Sequence, residues 1–260
     1  MKVNHYMSSA NPNIRLFVEN DLSEEAGFLI DGHQGHYLMN VMRMKEGEVV
    51  ALFNGRDGEW MARLEKTGKG RAEVRVLGQI EEQSPEPDLW YLFAPVKRAR
   101  LDYMVEKATE LGASLIWPVM TRRTNVDRVK EERLRTNAIE AAEQCGRLTV
   151  PEIRSPVKLE RVLLDWPEDR LILFCDEAGG EGGQDIAPLG IAVKAAEEKT
   201  GLDKWAILIG PEGGFTPEER HMIRQHPQSV AVTLGPRILR ADTAAVAALA
   251  LWQCYAGDWQ

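Results

Sequence analysis

The sequence predicts an α/β protein with a small β domain in front of it, and three observations carry this prediction. Short segments that alternate apolar and polar residues run up to residue 82. An acidic segment with two prolines, residues 81–88, then interrupts the pattern. After it, apolar strand-like segments alternate with amphipathic helical segments. We therefore expect a β domain over residues 1–82 and an α/β domain over residues 83–260.

The elements of the first domain follow from its turns. Residues 48–54 are a predicted strand, residues 54–58 a turn with two glycines, and residues 59–66 the returning strand of a hairpin. A second turn at Gly68 and Gly70 leads into a predicted strand over residues 71–77. Such a meander is expected to curl into a small β-barrel.

The second domain opens with a predicted strand over residues 89–95, a helix over residues 98–111 that Gly112 ends, and a strand over residues 114–119. A helix over residues 131–145 and strands over residues 171–175 and 205–209 follow. The last of these strands is apolar throughout, which is typical of a strand covered on both faces. The alternation predicts a parallel sheet.

Composition limits the function only loosely. The chain has 260 residues, 44% of them hydrophobic, and a net charge of −8, which argues against nucleic-acid binding. Residues 94–154, however, hold twelve lysines and arginines against nine acidic residues. Cys145, Cys175 and Cys254 are expected to be reduced core thiols. No signal segment or membrane helix is expected, so the predicted location is the cytoplasm.

The leading ligand site is the loop Gly210–Gly214 after the apolar strand. Thr216, Pro217 and Glu219 predict a capped helix directly behind it. Glu212 would repel a phosphate, and neither a dinucleotide-binding glycine spacing nor a P-loop lysine is present. The loop therefore suits a ligand with base edges, ribose hydroxyls and positive charge. A plain strand-to-helix turn remains the alternative.

The C-terminal segment repeats this arrangement. Residues 229–234 are a predicted strand, residues 235–240 a loop, and residues 241–255 an alanine-rich helix. The two strand ends are predicted to be adjacent, and the alanines indicate either close helix packing, as in a dimer contact, or simple helix propensity. The glycine-rich segment 176–184 is acidic and is interpreted as a flexible loop.

Six segments carry a resemblance to a known family. They are Arg15-Leu-Phe-Val18, His36-Tyr-Leu-Met-Asn-Val-Met-Arg-Met44, Lys107-Ala-Thr-Glu-Leu-Gly112, Glu143-Gln-Cys-Gly-Arg147, Ile209-Gly-Pro-Glu-Gly-Gly214 and Leu234-Gly-Pro-Arg-Ile-Leu-Arg240. Because these segments occur together and in this order, the chain resembles the RsmE family of 16S ribosomal RNA uridine N3-methyltransferases, which belongs to the SPOUT superfamily. The resemblance spans nearly the whole chain.

The resemblance implies a PUA-like N-terminal barrel that binds RNA, a SPOUT-type trefoil-knotted domain that binds S-adenosylmethionine, and a homodimer. It implies that two loops bind the cofactor, with the strand end at Phe174 and Cys175 as a further wall. The implied cofactor residues are Leu208, Ile209, Gly210, Pro211, Glu212, Gly213, Gly214, Leu234, Gly235, Ile238, Leu239, Arg240 and Thr243. Asp242 departs from the family, whose members often have glutamate there.

Methylation at uridine N3 requires loss of the N3 proton or stabilisation of the resulting anion, and an arginine near the uracil carbonyls can supply the latter. The catalytic candidates are Arg123, Glu143 and Arg240. The candidate RNA contacts are Arg15, Arg43, Arg122, Arg123 and Arg147. No metal is predicted, because the histidines lack a ligand set. The alternatives are methylation of another rRNA or tRNA position and a non-catalytic RNA-binding assembly factor.

Overall fold

The computed structural model describes residues 12–126, 128–176 and 186–259. Most of the N-terminus, where no signal segment is expected, lies outside the described residues. Most of the glycine-rich segment 176–184, interpreted as a flexible loop, also lies outside them. The chain forms two compact units. The first consists of residues 1–85 and 142–150, and the second of residues 86–141 and 151–260.

The first unit is built on a five-stranded sheet. Its strands are β1 (Arg15–Phe17), β2 (Gly27–Ile30), β3 (Val49–Phe53), β4 (Glu59–Gly68) and β5 (Arg71–Glu81), in the order β1-β3-β4-β5-β2. Only β1 pairs in parallel, with β3. The predicted hairpin is confirmed, with Val49 opposite Arg63 and Phe53 opposite Glu59. The strands β1 and β2 were missed because three or four residues are too few to show alternation.

A short helical segment connects β2 to β3. It consists of α1 (Gly32–His36) and a π-helical turn over Tyr37–Val41. Gly35 packs so closely that a Cβ there would lie 2.3 Å from the carbonyl oxygen of Gly70. Leu38 is fully buried and joins the core that the sheet encloses, together with Leu16, Leu52, Leu64 and Val74.

The second unit is built on a sheet in which every pairing is parallel, as predicted. Its strands are β6 (Leu89–Phe93), β7 (Leu115–Met120), β8 (Glu152–Ile153), β9 (Val157–Lys158), β10 (Arg170–Cys175), β11 (Lys204–Ile209) and β12 (Ser229–Val232). The order is β12-β10-β11-β6-β7-β8, and β9 also pairs with β7.

Six helices accompany these strands: α2 (Arg98–Glu110), α3 (Glu131–Cys145), α4 (Leu159–Leu164), α5 (Leu189–Thr200), α6 (Pro217–Gln225) and α7 (Ala241–Tyr255). The bounds predicted for α3 and α7 are confirmed. Gly112 follows the end of α2 and has a left-handed φ of 82°. Two helices, α4 and α5, were not predicted. No helix of the described ranges is long and apolar enough to cross a membrane.

Two predictions from the sequence are wrong. The strands β11 and β12 are not adjacent, because β10 lies between them and pairs with both. The cysteines are free, but Cys145 and Cys254 are exposed and Cys175 is only partly buried, so they are not a set of core thiols. The sequence showed apolar neighbours of Cys145 and Cys254, whereas helix geometry turns both residues outward.

Candidate functional site

A cavity of about 610 Å³ lies at the carboxyl ends of β10, β11 and β12, within the second unit. This is the edge at which parallel sheets bind ligands. Both predicted cofactor loops reach it. The predicted residues that line it are Ile209, Gly210, Pro211, Glu212, Gly213, Gly214, Leu234, Gly235, Ile238, Leu239 and Arg240. Leu208, which is buried in the sheet, and the exposed Thr243 do not line it.

The loop between β11 and α6 turns tightly around an aromatic ring. A Cβ at Gly210 would lie 2.6 Å from the Phe215 ring, which packs edge-on against Phe174 with ring centroids 5.4 Å apart. Gly214 has a φ of 67°, and its N–H donates to the Pro211 carbonyl at 2.8 Å. Glycine at these two positions lets the backbone come close to whatever occupies the cavity.

The helix α6 begins with the predicted capping box. The Glu219 N–H donates to the Thr216 hydroxyl, and the Thr216 N–H donates to the Glu219 carboxylate at 2.9 Å. Pro217 takes the first helical position, so this prediction is confirmed. The fully buried Glu219 also accepts the backbone N–H of Arg122 at 2.8 Å. One carboxylate thus fixes both the start of α6 and the segment after β7.

The end of β10 carries a buried carboxylate. Asp176, whose side chain is 2% exposed, accepts hydrogen bonds from Arg220 at 3.1 Å and from Arg224 at 2.5 and 2.9 Å. Its backbone N–H donates to the Val232 carbonyl at 3.1 Å. Because Asp176 and Arg220 both line the cavity, this cluster fixes the position of α6 relative to the strand ends.

The loop between β12 and α7 has a fixed base and an exposed tip. Gly235 has a φ of 113°, and its N–H donates to the Thr233 hydroxyl at 3.1 Å. Arg240 is the N-cap residue of α7 at the other end. Between them, Arg237 and Ile238 are exposed and Leu239 is partly buried. The loop therefore closes one side of the cavity and also presents side chains to solvent.

Arg100 is a site residue that the sequence analysis missed. It lies on α2, lines the cavity, forms an ion pair with Glu212, and lies 3.9 Å from the Asp242 carboxylate. It connects the loop after β11 with the first turn of α7. The sequence held one indication of this role: Arg100 is in the first turn of a helix that follows a parallel strand, and such a turn lies at the carboxyl edge of the sheet.

The predicted catalytic residues fall into both units. Arg123 and Arg240 line the cavity, and the Arg123 guanidinium donates to the Gly213 carbonyl at 2.8 Å. Glu143 belongs to the first unit, where its carboxylate accepts the Phe17 N–H at 3.0 Å. That hydrogen bond gives Glu143 a structural role, and a catalytic role for it stays a prediction.

The predicted RNA contacts differ in how far their side chains are engaged. In the first unit, the Arg15 guanidinium donates to Glu59 and to the carbonyls of residues 142, 143 and 147, so it caps the end of α3. Arg147 donates to Thr149 at 3.0 Å. Arg122 lies 3.7 Å from Glu218 and 3.9 Å from Glu160. The exposed Arg43 has a left-handed φ of 54°, which is uncommon for a residue with a side chain.

Burial raises the pKa of the Cys175 thiol in the cavity wall to about 12. The thiol is therefore protonated at neutral pH and is a poor nucleophile. Burial also raises the pKa of Tyr91 well above its ordinary value, with smaller contributions from Cys175 and Asp242. Among the described residues, no group of histidine, cysteine and acidic side chains could hold a metal ion.

Comparison with known proteins identifies the two units. Residues 82–253 match the family described as RNA methyltransferase domain, and residues 30–77 match the RNA methyltransferase PUA domain. The chain is 31% identical to ribosomal RNA small subunit methyltransferase E of Rickettsia conorii, over 91% of this chain and 93% of that protein. It is 29% identical to the protein of that name from Bacillus subtilis, over 90% and 94%.

Solved structures give the same result. A methyltransferase from Legionella pneumophila, determined with bound SAM, superposes with a TM-score of 0.79 at 29% identity, over 96% of this chain and 100% of that one. Ribosomal RNA small subunit methyltransferase E of Neisseria gonorrhoeae, bound to S-adenosylmethionine, gives a TM-score of 0.78 at 27% identity, over 95% and 99%.

A parallel sheet whose strand ends surround one glycine-lined cavity, preceded by a PUA domain, defines this chain as an RNA methyltransferase. More narrowly, it belongs to the family of ribosomal RNA small subunit methyltransferase E, the RsmE family. The fold class and the family that the sequence predicted are both confirmed. The trefoil knot stays a prediction from the resemblance.

Proposed function

We propose that this protein transfers a methyl group from S-adenosylmethionine to N3 of a uridine in the 16S RNA of the small ribosomal subunit. The observation that carries the proposal is the cavity at the ends of β10, β11 and β12, in a chain of this family. Two relatives of the same fold are known with this cofactor. The choice of uridine N3 rests on the family resemblance.

The residues of the cavity fit the cofactor. Its volume of about 610 Å³ lies within the ordinary range of small-molecule sites. A Cβ at Gly213 would lie no closer than 3.6 Å to its neighbours, and none lies within 4 Å of a Cβ at Gly235, so both glycines leave backbone accessible. Among the lining residues, Glu212 supplies a carboxylate, paired with Arg100, to which a sulfonium or an ammonium group is complementary.

In the proposed reaction the cofactor, when bound, supplies the electrophilic methyl group. The backbone of the loops 209–214 and 234–240 would hold it, and Arg123 and Arg240 would stabilise negative charge on the uracil as the N3 proton passes to water. Arg123 is suited to this task because its guanidinium is already fixed by the Gly213 carbonyl. The protonated Cys175 thiol takes no part as a nucleophile.

The remaining proposals concern organisation and partners. We retain a PUA-like RNA-binding domain over residues 1–82 and a methyltransferase domain over residues 83–260, and we propose a homodimer that acts in the cytoplasm on ribosomal RNA or the small subunit, without a metal. Arg43, Arg122 and Arg123 are the proposed RNA contacts with exposed side chains. Arg15 and Arg147 are weaker candidates, because their guanidinium groups bind within the first unit.

The test is mass mapping of small-subunit RNA from a strain that lacks the gene, with and without the gene restored. We expect one methylated uridine to disappear and to return. Methylation lost from a different RNA would show another target, and unchanged RNA would reject the proposal. Calorimetry with S-adenosylmethionine separates an enzyme from an assembly factor, because only the enzyme requires cofactor binding.

A further inference from the structure

Ile238 is the most exposed large apolar side chain of the described residues, with 81% of its surface accessible. It lies in the loop between β12 and α7, which lines the cavity. We propose that Ile238 inserts into the RNA beside the target uridine and holds that base out of its stack, while Arg237 binds a neighbouring phosphate. This inference rests on the proposed function and assigns the contacts that deliver the base to the same cavity.

The exposure of Ile238 is built into the loop. The Thr233 hydroxyl accepts the Gly235 N–H at 3.1 Å and fixes the first end, and Arg240 begins α7 at the second end. Leu239 is partly buried while its neighbour Ile238 points to solvent. A fixed loop that keeps an isoleucine in water leaves apolar surface exposed. A ligand that covers this surface gains the free energy of burying it.

The charges around Ile238 favour RNA as the partner. Arg237 and Arg240 lie on either side of it, both are exposed, and neither forms an ion pair within the described part of the chain. Arg123 adds a third exposed guanidinium at the same cavity. Arginines that flank an apolar tip are suited to phosphates on both sides of an inserted side chain.

The chemistry favours a side chain that holds the target base out of its stack. The N3 atom of uridine lies on the edge that pairs with another base, so a stacked or paired uridine cannot present it to the cavity. Proteins that separate stacked bases insert apolar side chains, isoleucine among them, between neighbouring bases. Ile238 lies where such a side chain is needed, because the loop that carries it also forms the cavity wall.

The test compares Ile238→Ser, Ile238→Met and Arg237→Ala with the wild type on small subunits that lack the methylation. Ile191→Ala is the matched control, since Ile191 is 66% exposed on α5 and does not line the cavity. We expect Ile238→Ser to lower kcat about tenfold or more, the cost of presenting a stacked base, and Ile238→Met to restore most of it. Arg237→Ala is expected to raise KM and to reduce the salt slope of binding by about one phosphate contact.

Two further measurements distinguish the explanations. Calorimetry is expected to give Ile238→Ser an unchanged affinity for S-adenosylmethionine, because Ile238 is 81% exposed and its loop would hold the cofactor by its backbone. Sedimentation is expected to give an unchanged oligomeric state. A weaker cofactor affinity would make Ile238 a cofactor contact, a changed oligomeric state would make it a subunit contact, and an unchanged kcat would leave it without a role. Each result overturns the inference. An inactive wild type would instead overturn the proposed function.

Discussion

At the scale of single residues, two glycines of the same loop have very different surroundings. A Cβ at Gly210 would lie 2.6 Å from the Phe215 ring, whereas a Cβ at Gly213 would meet only the Arg123 side chain at 3.6 Å. Gly210→Ala must displace a ring held by Phe174, and overpacking of this kind costs about 1–3 kcal/mol. We expect it to weaken S-adenosylmethionine binding about tenfold in calorimetry. The Gly213→Ala control should lose less than about threefold, and equal losses would contradict the packing argument.

The buried carboxylate of Asp176 allows a second prediction. Asp176→Asn leaves Arg220 and Arg224 without the charge that they surround, and breaking a buried pair costs about 3–5 kcal/mol. Asp169→Asn is the control, because its ion pair with Lys204 is exposed and such pairs are worth about 0–1 kcal/mol. Urea unfolding measures both. A loss for Asp176→Asn no larger than that of the control would show that α6 is held by apolar packing alone.

Single residues also show where sequence reasoning stops. The glycines of the site were predictable, because their requirement is local and visible in the spacing of one loop. Arg100 was not, because its partners Glu212 and Asp242 are more than a hundred positions away in the chain. Charge pairs of this kind follow from topology, which no local pattern contains.

At the scale of elements, the capping box of α6 was fully predictable from the sequence. We expect Thr216→Ala to lower the free energy of unfolding by about 1 kcal/mol, because it removes the acceptor of the Glu219 N–H. Glu219→Ala should cost more, since the buried carboxylate also binds the Arg122 backbone. The exposed Glu218→Ala serves as the control in the same urea titration. A smaller loss for Glu219→Ala than for Thr216→Ala would refute this order.

The order of the strands was beyond the sequence. Strand and helix bounds depend on periodicity within about ten residues, and β11, α3 and α7 were recognised on that basis. Placement in the sheet depends on which distant segments pair. The strand β10 lies between β11 and β12, and it brings Cys175 and Asp176 to the cavity between the two predicted loops.

At the scale of the whole molecule, the first unit is not continuous in sequence. Residues 142–150 belong to it, and Arg15 binds the carbonyls of residues 142, 143 and 147 at 2.7 to 3.1 Å while its guanidinium lies 4.5 Å from the centre of the Phe53 ring. A fragment that ends at residue 85 keeps Glu59 and Phe53 as partners of Arg15 but loses these carbonyls. The cationic cap on the end of α3 is therefore available only in the full chain.

This difference gives a prediction that separates local from long-range stabilisation. In the full-length protein, Arg15→Ala should lower the stability of β3 and β4 by about 2 kcal/mol, because part-buried hydrogen bonds from a charged donor to three carbonyls are lost. In the fragment 1–85 the same substitution should cost less, since only the contacts with Glu59 and Phe53 remain to be lost. Amide hydrogen exchange of β3 measures both values, and Arg56→Ala, which removes an exposed ion pair with Asp21, is the control. Equal losses in fragment and full chain would mean that Glu59 and Phe53 together account for the effect of Arg15. A larger loss in the full chain would show that the PUA domain is completed by a segment that follows it by more than fifty residues.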